Sequence, residues 1–541
     1  ELKPNFTEAY CDLAKILIAL GQLQEAERSL RKALEIRPDL ANAHCNLGVI
    51  LINLGQLQEA ERSLRKAIEI QPDLTEAHSN LGGFLLDLHR LEEAKQSFQK
   101  CIELQPNEIS HVSKLLDVLS SLCDWDEIQP LLPYVERIGI EGKAVNPIPL
   151  MYLEDNPEND LKRAINFNQK DQQTILPNLN SYNNSKINIG YFSSDFRRHS
   201  LSILLTRILE LHDKSKFNIY AYSLSNKRDT YTVRVENATF CFREVSNLSD
   251  IEIVNIARKD KIDIAIDLNG LTGSNRKNIF HFRVAPIQIN YLGYPGTSGS
   301  KSLDYILADK ILIPEENKKF YTEKILYLPN CYMPHDDTKK IPSGKFTREE
   351  LGLPSKGFIF TCFNNIRKIT SVEFNIWMNL LEKVDNSFLW LMKPNISAIN
   401  NINKELAKRG LERERIIFAG KMNINDHLSR HICGDLFLDT FNYNAATTAS
   451  IALSCGLPVI TLLGKSYSAR IAASILNACD LTELITHTPS EYEALAYELA
   501  SNKEKLNSIR ETIRTKKDCG YFDSCQFTKD LETIYRNILP K

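Results

Sequence analysis

Several short segments carry residue types whose spacing could act on a phosphate-like group. Asn364-Asn365-Ile-Arg-Lys368 directly follows an apolar run. An ammonium there can neutralise a departing diphosphate without a metal; an ordinary surface lysine is the alternative. Asp439-Thr-Phe-Asn-Tyr-Asn-Ala-Ala-Thr447-Thr448 reads as a strand end, a small-residue loop and a helix start. Unpaired N–H groups at such a helix start, helped by two hydroxyls, suit a pyrophosphate; a plain helix cap is the simpler reading. His199 closes the run Ser193-Ser-Asp-Phe-Arg-Arg-His199 at a strand-to-helix turn. An imidazole there can orient a substrate group or move a proton. Leu292-Gly293-Tyr-Pro295-Gly296 is either a Gly-rich loop that a ligand approaches closely or a mere turn. Asp124-Trp125-Asp126 resembles a carboxylate pair for a divalent ion. No apolar strand precedes it, so a tethering turn with Trp125 buried is preferred. No metal or other cofactor is expected.

These segments need elements to hold them. The chain has 541 residues, 43% hydrophobic and 25% charged, with a net charge of −2. That is ordinary globular usage, and the charge balance gives no electrostatic case for nucleic acid or an anionic membrane. No run of about 18 apolar residues suggests a membrane span. The 12 cysteines are scattered without a Cys-x-x-Cys, which favours free thiols in a reducing, cytoplasmic setting. From Ile187 onward, apolar runs alternate with helical segments: 187–192, 217–222, 262–267 and 287–291, then 358–363, 387–392, 415–418, 436–439 and 458–461. This predicts two doubly wound α/β domains with parallel sheets, and a site in the cleft at the carboxyl ends of the strands. Neither Gly-x-Gly-x-x-Gly nor a P-loop is present, which argues against an ordinary dinucleotide dehydrogenase or a P-loop ATPase.

The front of the chain is different. Pro4, Pro38, Pro72 and Pro106 are each 34 residues apart, and Gly21-Gln-Leu-Gln-Glu-Ala recurs as Gly55-Gln-Leu-Gln-Glu-Ala. Each unit reads as two amphipathic helices that meet at Ala26, Ala60 or Ala94, with a glycine stop and a closing proline. The length and pattern resemble the tetratricopeptide repeat, over 5–38, 39–72 and 73–106. Glu1-Leu2-Lys3-Pro4 resembles the tail of a further repeat, so the chain is expected to be a C-terminal piece of a longer protein. Such arrays curve around a concave face suited to peptides. Asn46 and Asn80 fall at one repeat position, where an amide can both donate to and accept from an extended backbone. Solvated helix residues are the alternative. The domain reading is repeats over 1–106, a helical linker over 107–186, and Rossmann-like domains over 187–340 and 341–541.

Taken together, the motifs resemble the TPR-containing O-linked N-acetylglucosamine transferases and their bacterial relatives. Gly190-Tyr-Phe-Ser-Ser-Asp-Phe-Arg-Arg-His199, the block from Ala285 to Gly299, Asn364-Asn-Ile-Arg-Lys-Ile369, Asp426-His427-Leu and Asp435-Leu-Phe-Leu-Asp-Thr440 carry the resemblance, as do Cys123-Asp-Trp125 and Ser468 to Ser474. It implies an α-solenoid followed by a GT-B fold. It also implies inverting, metal-independent transfer of N-acetylglucosamine from UDP-N-acetylglucosamine to Ser or Thr of proteins. By the resemblance, His199 matches an active-site histidine and Lys368 the lysine at the diphosphate. Asn365 matches a nearby amide, His427 a histidine stacked on uracil, and Thr447 and Thr448 two threonines at the phosphates. Gly293 and Pro295 match the loop beside the sugar, and Asn46 and Asn80 match an asparagine ladder holding acceptor protein. Two positions depart from the family pattern: Ala446 replaces a histidine and Ile451 an aspartate. The alternatives are therefore a catalytically impaired scaffold, or a relative using GDP-fucose or UDP-glucose.

Overall fold

The computed structural model describes residues 7–19, 21–169, 179, 182–272, 276–339, 345–515 and 520–540. Pro4 and Asn178, which the sequence reading places at a repeat end and a boundary loop, lie outside them. The chain forms two compact units, Glu1–Lys143 and Ala144–Lys541.

The first unit stacks helix pairs: α1 (Thr7–Ala19) with α2 (Leu23–Ile36), α3 (Ala41–Asn53) with α4 (Leu57–Ile70), and α5 (Thr75–Asp87) with α6 (Leu91–Leu104). The left-handed turns recur at Gly21, Gly55 and His89, with φ of 75°, 76° and 59°. A fourth comes at Cys123, φ 51°, one period on, between the helix Ser110–Leu122 and Trp125. The repeat geometry thus runs past the point where the sequence signature fades. Trp125 is buried and Asp124 accepts from Lys95 at 2.9 Å, so the Asp-x-Asp run forms part of an inter-helix tie. The ladder Arg31–Glu59 (2.8 Å), Arg65–Glu93 (2.8 Å) and Gln99–Glu127 (3.2 Å) advances with the same period. Such half-exposed pairs add little net stability but fix register.

Close helix approach depends on small residues. Ala26, Ala60 and Ala94 are wholly buried. A Cβ on Gly48 would stand 2.6 Å from Leu64 Cγ, and one on Gly82 2.7 Å from Phe98 Cε1. Gly48→Ala is therefore expected to lower the stability of the repeats by about 1–3 kcal/mol. Urea unfolding followed by circular dichroism reads this; an unchanged midpoint would mean that Leu64 yields freely.

The second unit holds two parallel sheets. The first contains β1 (Ile187–Ser193), β2 (Phe217–Ser223), β3 (Cys241–Glu244), β4 (Ile264–Asp267), β5 (Ile287–Asn290), β6 (Tyr305–Ala308) and β7 (Lys324–Tyr327). Its order is 3-2-1-4-5-6-7. The second contains β8 (Phe358–Cys362), β9 (Ser387–Met392), β10 (Ile416–Ala419), β11 (Leu436–Leu438), β12 (Val459–Leu462) and β13 (Ile485–Thr486), in the order 10-9-8-11-12-13. β4 and β5 are buried at every residue, as expected for strands with helices on both faces.

Two further segments tie the sheets together. The helix Ser524–Ile538 follows the second sheet in the chain but docks on the first. There Glu532 Oε1 lies 3.0 Å from His212 Nδ1, and Tyr535 OH 3.1 Å from Tyr191 OH. A strap built on the helices Ile148–Met151 and Pro157–Gln169 touches both lobes. Lys277 Nζ donates to Phe167 O at 2.9 Å on one side. On the other, the Asp155 carboxylate accepts from the Lys465 and Ser466 amides at 2.7 and 2.6 Å. Among the described residues no helix is long and apolar enough to cross a membrane.

Candidate functional site

In each sheet the strand order reverses beside the first strand, β1 or β8. Loops leaving the carboxyl ends diverge at such a point and open a crevice. The crevice holds a cavity of about 330 Å³. The β1 exit contributes Ser194, Asp195, Arg197 and His199, and the exits of β4 and β5 contribute Leu268 and Gly293. Tyr443, Ala446 and Thr447 arrive from the β11 exit.

Gly293 is at this wall because nothing larger fits: a Cβ would lie 2.0 Å from Leu268 O. Pro295 is buried in the same loop and does not line the cavity. His199 is the N-cap of the helix Ser200–Leu211. Its Nδ1 accepts from the Leu201 amide at 3.3 Å, while Asp195 Oδ2 stands 3.8 Å from the same nitrogen. An imidazole accepting at Nδ1 carries its proton on Nε2. Burial also lowers the His199 pKa, so the ring is a neutral donor at neutral pH.

The exits of β8 and β11 are stitched together. Thr448 Oγ1 donates to Asn364 Oδ1 at 2.5 Å, and Asn364 Nδ2 donates to Asp439 at 3.1 Å and Thr440 at 2.9 Å. Lys368 Nζ donates to Asn444 O at 2.9 Å and lies 3.8 Å from the centre of the Tyr443 ring. The ammonium is therefore tied to the turn 443–446 that leads into the Thr447 helix start. Burial pulls the Lys368 pKa below the ordinary lysine value, with Asp439 opposing the shift. The first N–H groups of the helix Thr447–Ser454 have no carbonyl a turn earlier to bond. A lysine and a helix start thus flank one short turn, a chemistry suited to an anion.

Asn365 caps the short turn carrying Lys368 by accepting from the Arg367 amide at 3.2 Å. His427 lies on the β10 exit, its ring 5.6 Å from Phe363 and 4.7 Å from His431. Its Nδ1 accepts from Arg430 at 2.5 Å, and burial followed by Arg430 lowers its pKa to about 4, so this ring too is neutral. Ala446 caps no amide with its side chain and Ile451 is buried, so neither departure is replaced in place by a polar group. In the repeat unit, Asn46 and Asn80 occupy equivalent places on α3 and α5, and Asn80 Nδ2 donates to Cys45 Sγ at 3.3 Å. Asn364, Asp439 and Tyr443 are part of this site and were not singled out by sequence. The available signals were an amide beside Asn365, a carboxylate ending an apolar strand, and an aromatic among small residues. Among the described residues no group of three His, Cys, Asp or Glu side chains is placed to hold a metal ion.

Residues 164–346 and 339–531 match the profile of glycosyl transferase family 41. The chain belongs to that family. Residues 6–73 and 51–119 match tetratricopeptide-repeat profiles. This family 41 chain is 35% identical, over 65% of its length and 37% of the relative's, to the Arabidopsis thaliana protein named "Probable UDP-N-acetylglucosamine--peptide N-acetylglucosaminyltransferase SEC". It is 29% identical, over 72% of its length and 43% of the relative's, to a protein of Oryza sativa subsp. japonica with the same enzyme name and the designation SPINDLY. The chain therefore spans less than half the length of these curated relatives. Among solved structures it is similar to a mutant of the Thermobaculum terrenum O-GlcNAc transferase, at 26% identity and a TM-score of 0.69, covering 98% of this chain and 96% of that one. A family 41 enzyme of GT-B architecture accounts for both sheets and for the crevice between them.

Proposed function

We propose that this family 41 chain transfers N-acetylglucosamine from UDP-N-acetylglucosamine to serine or threonine hydroxyls of proteins, with inversion and without a metal. The single observation that supports this most is the meeting of Lys368, the Asn364–Thr448 tie and the Thr447 helix start at one crevice. The donor diphosphate lies against the helix N–H groups and within reach of the ammonium. The acceptor oxygen attacks the anomeric carbon from the opposite side; its bond forms as the bond to the phosphate oxygen breaks, its hydroxyl proton passes to a phosphate oxygen of the departing UDP, and Lys368 and the helix tip stabilise the negative charge that develops there. His199 donates from Nε2 to orient a sugar or acceptor oxygen, and while Nδ1 caps its helix it does not receive the proton. The repeats bind polypeptide, with Asn46 and Asn80 on the binding face. His427 packs on the base.

The test is incubation with UDP-N-acetylglucosamine and candidate proteins, with the modified side chain read by mass spectrometry. Sugar on serine or threonine supports the reading. No transfer, together with no heat on calorimetric titration with UDP at millimolar concentration, would leave a repeat scaffold instead. The reading also sets a pH dependence. Lys368 works as a cation and burial lowers its pKa from the ordinary lysine value, so kcat/KM should be full on the acid side and fall as pH rises through a value below the ordinary lysine range. A profile flat to well above that region would remove Lys368 from the mechanism.

A further inference from the structure

The ring of Tyr443 lines the cavity on one side and carries the Lys368 ammonium 3.8 Å from its centre. We propose that Tyr443, backed by Tyr152, is a positioning residue that holds Lys368 at the cavity wall. The inference deepens the proposed function and rests on Lys368 meeting the diphosphate there.

The turn bearing Tyr443 is pinned on several sides. Thr440 Oγ1 donates to Tyr443 O at 2.7 Å, and Thr440 is itself held by Asn364. Tyr152, on the strap, packs its ring 5.6 Å from that of Tyr443 at an interplanar angle of 33°, and its carbonyl accepts from Asn442 Nδ2 at 3.0 Å. The strap is anchored beyond this by Asp155 on the Lys465 and Ser466 amides. The aromatic pair is therefore a supported platform.

A lysine has three donors on a flexible stem and no preferred plane. Shielded from water, its ammonium needs partners that hold it without neutralising it. The Asn444 carbonyl supplies one, and the negative face of an aromatic ring supplies a second, broad one. The charged and titratable groups around it are Asp439 and Cys362 from the strand ends and Tyr443 from the turn. A ring holds the cation in place and leaves its charge available, so the ammonium can meet a diphosphate without first breaking an ion pair. Losing the ring face lowers the lysine's pKa, because the charged form loses its partner.

The test compares Tyr443→Phe, Tyr443→Leu and Tyr443→Met in the full chain, Met keeping bulk without a π face. Lysine side-chain NMR on ligand-free protein, with the Lys368 signal assigned by its loss in Lys368→Arg, reads the ammonium directly. Phe should titrate as wild type, whereas Leu and Met should titrate about one pH unit lower. In turnover, Phe should stay within about twofold, while Leu and Met lose roughly 10- to 30-fold, mainly in kcat, with the alkaline limb moved down. Unchanged Lys368 titration in folded Leu or Met variants overturns the proposal. The NMR arm needs no turnover, so an inactive wild type would sink the transferase reading while the titration still decides the role of Tyr443.

Discussion

Lys368→Ala is expected to cut transfer by about 10²–10³-fold, the usual effect of removing one preorganised group that stabilises developing charge. The lysine is placed by its backbone bond to Asn444 and by the Tyr443 ring, and neither contact closes a core. The fold should therefore persist, and melting followed by circular dichroism should give a curve close to wild type. The loss should fall mainly in kcat, because the leaving diphosphate bears most charge at the transition state. A variant that keeps turnover within a few-fold, in a preparation free of wild type, would show that the helix start at Thr447 carries the phosphates alone.

Asp439→Ala should have the largest effect on stability. The carboxylate is fully buried. It accepts from the Ala445 amide at 2.6 Å, the Thr440 amide at 2.8 Å, Asn364 Nδ2 at 3.1 Å and Thr461 Oγ1 at 2.7 Å. Alanine leaves these donors buried without a partner, and leaves Lys368 without the charge that opposes its desolvation. Removing one member of such a buried set costs about 3–5 kcal/mol. Denaturant unfolding should show the β8–β13 sheet melting early, and donor binding should be lost with it. A variant as stable as wild type would mean that water enters and serves the four donors.

Both sheets were legible in the sequence where strands run apolar for several residues, as at Ile187–Ser193 and Ser387–Met392. The missed strands, β3, β6, β7 and β13, are short and lie toward the sheet margins; β6, Tyr-Ile-Leu-Ala, is apolar and mostly buried but only four residues long. β3, Cys-Phe-Arg-Glu, has no buried residue and β7 begins on an exposed lysine; β13 has two residues. Pairing with a neighbour, rather than apolar content, makes β3, β7 and β13 strands. The fourth left-handed turn was hidden because Cys123 stands where the earlier repeats have Gly or His, and tertiary packing holds a side chain there that local preference would not choose. Within the site, Lys368, His199 and the Thr447 helix start could be found from residue type and position. Asp439 and Tyr443 carry only weak local signals, because their roles come from neighbours 70 or more residues away in the chain or on the strap, such as Asn364 and Tyr152.

The helix Ser524–Ile538 returns to the first lobe after the chain has built the second. Topologically the second sheet is thus an insertion, joined to its host once before β8 and again after the helix Lys503–Thr515. A body hung from a single thread can swivel freely; one held at two attachments turns only about the line joining them. The strap from Ile148 to Gln169, anchored by Asp155 on the Lys465 and Ser466 amides, is a third attachment off that line and opposes the turning that the two crossings leave.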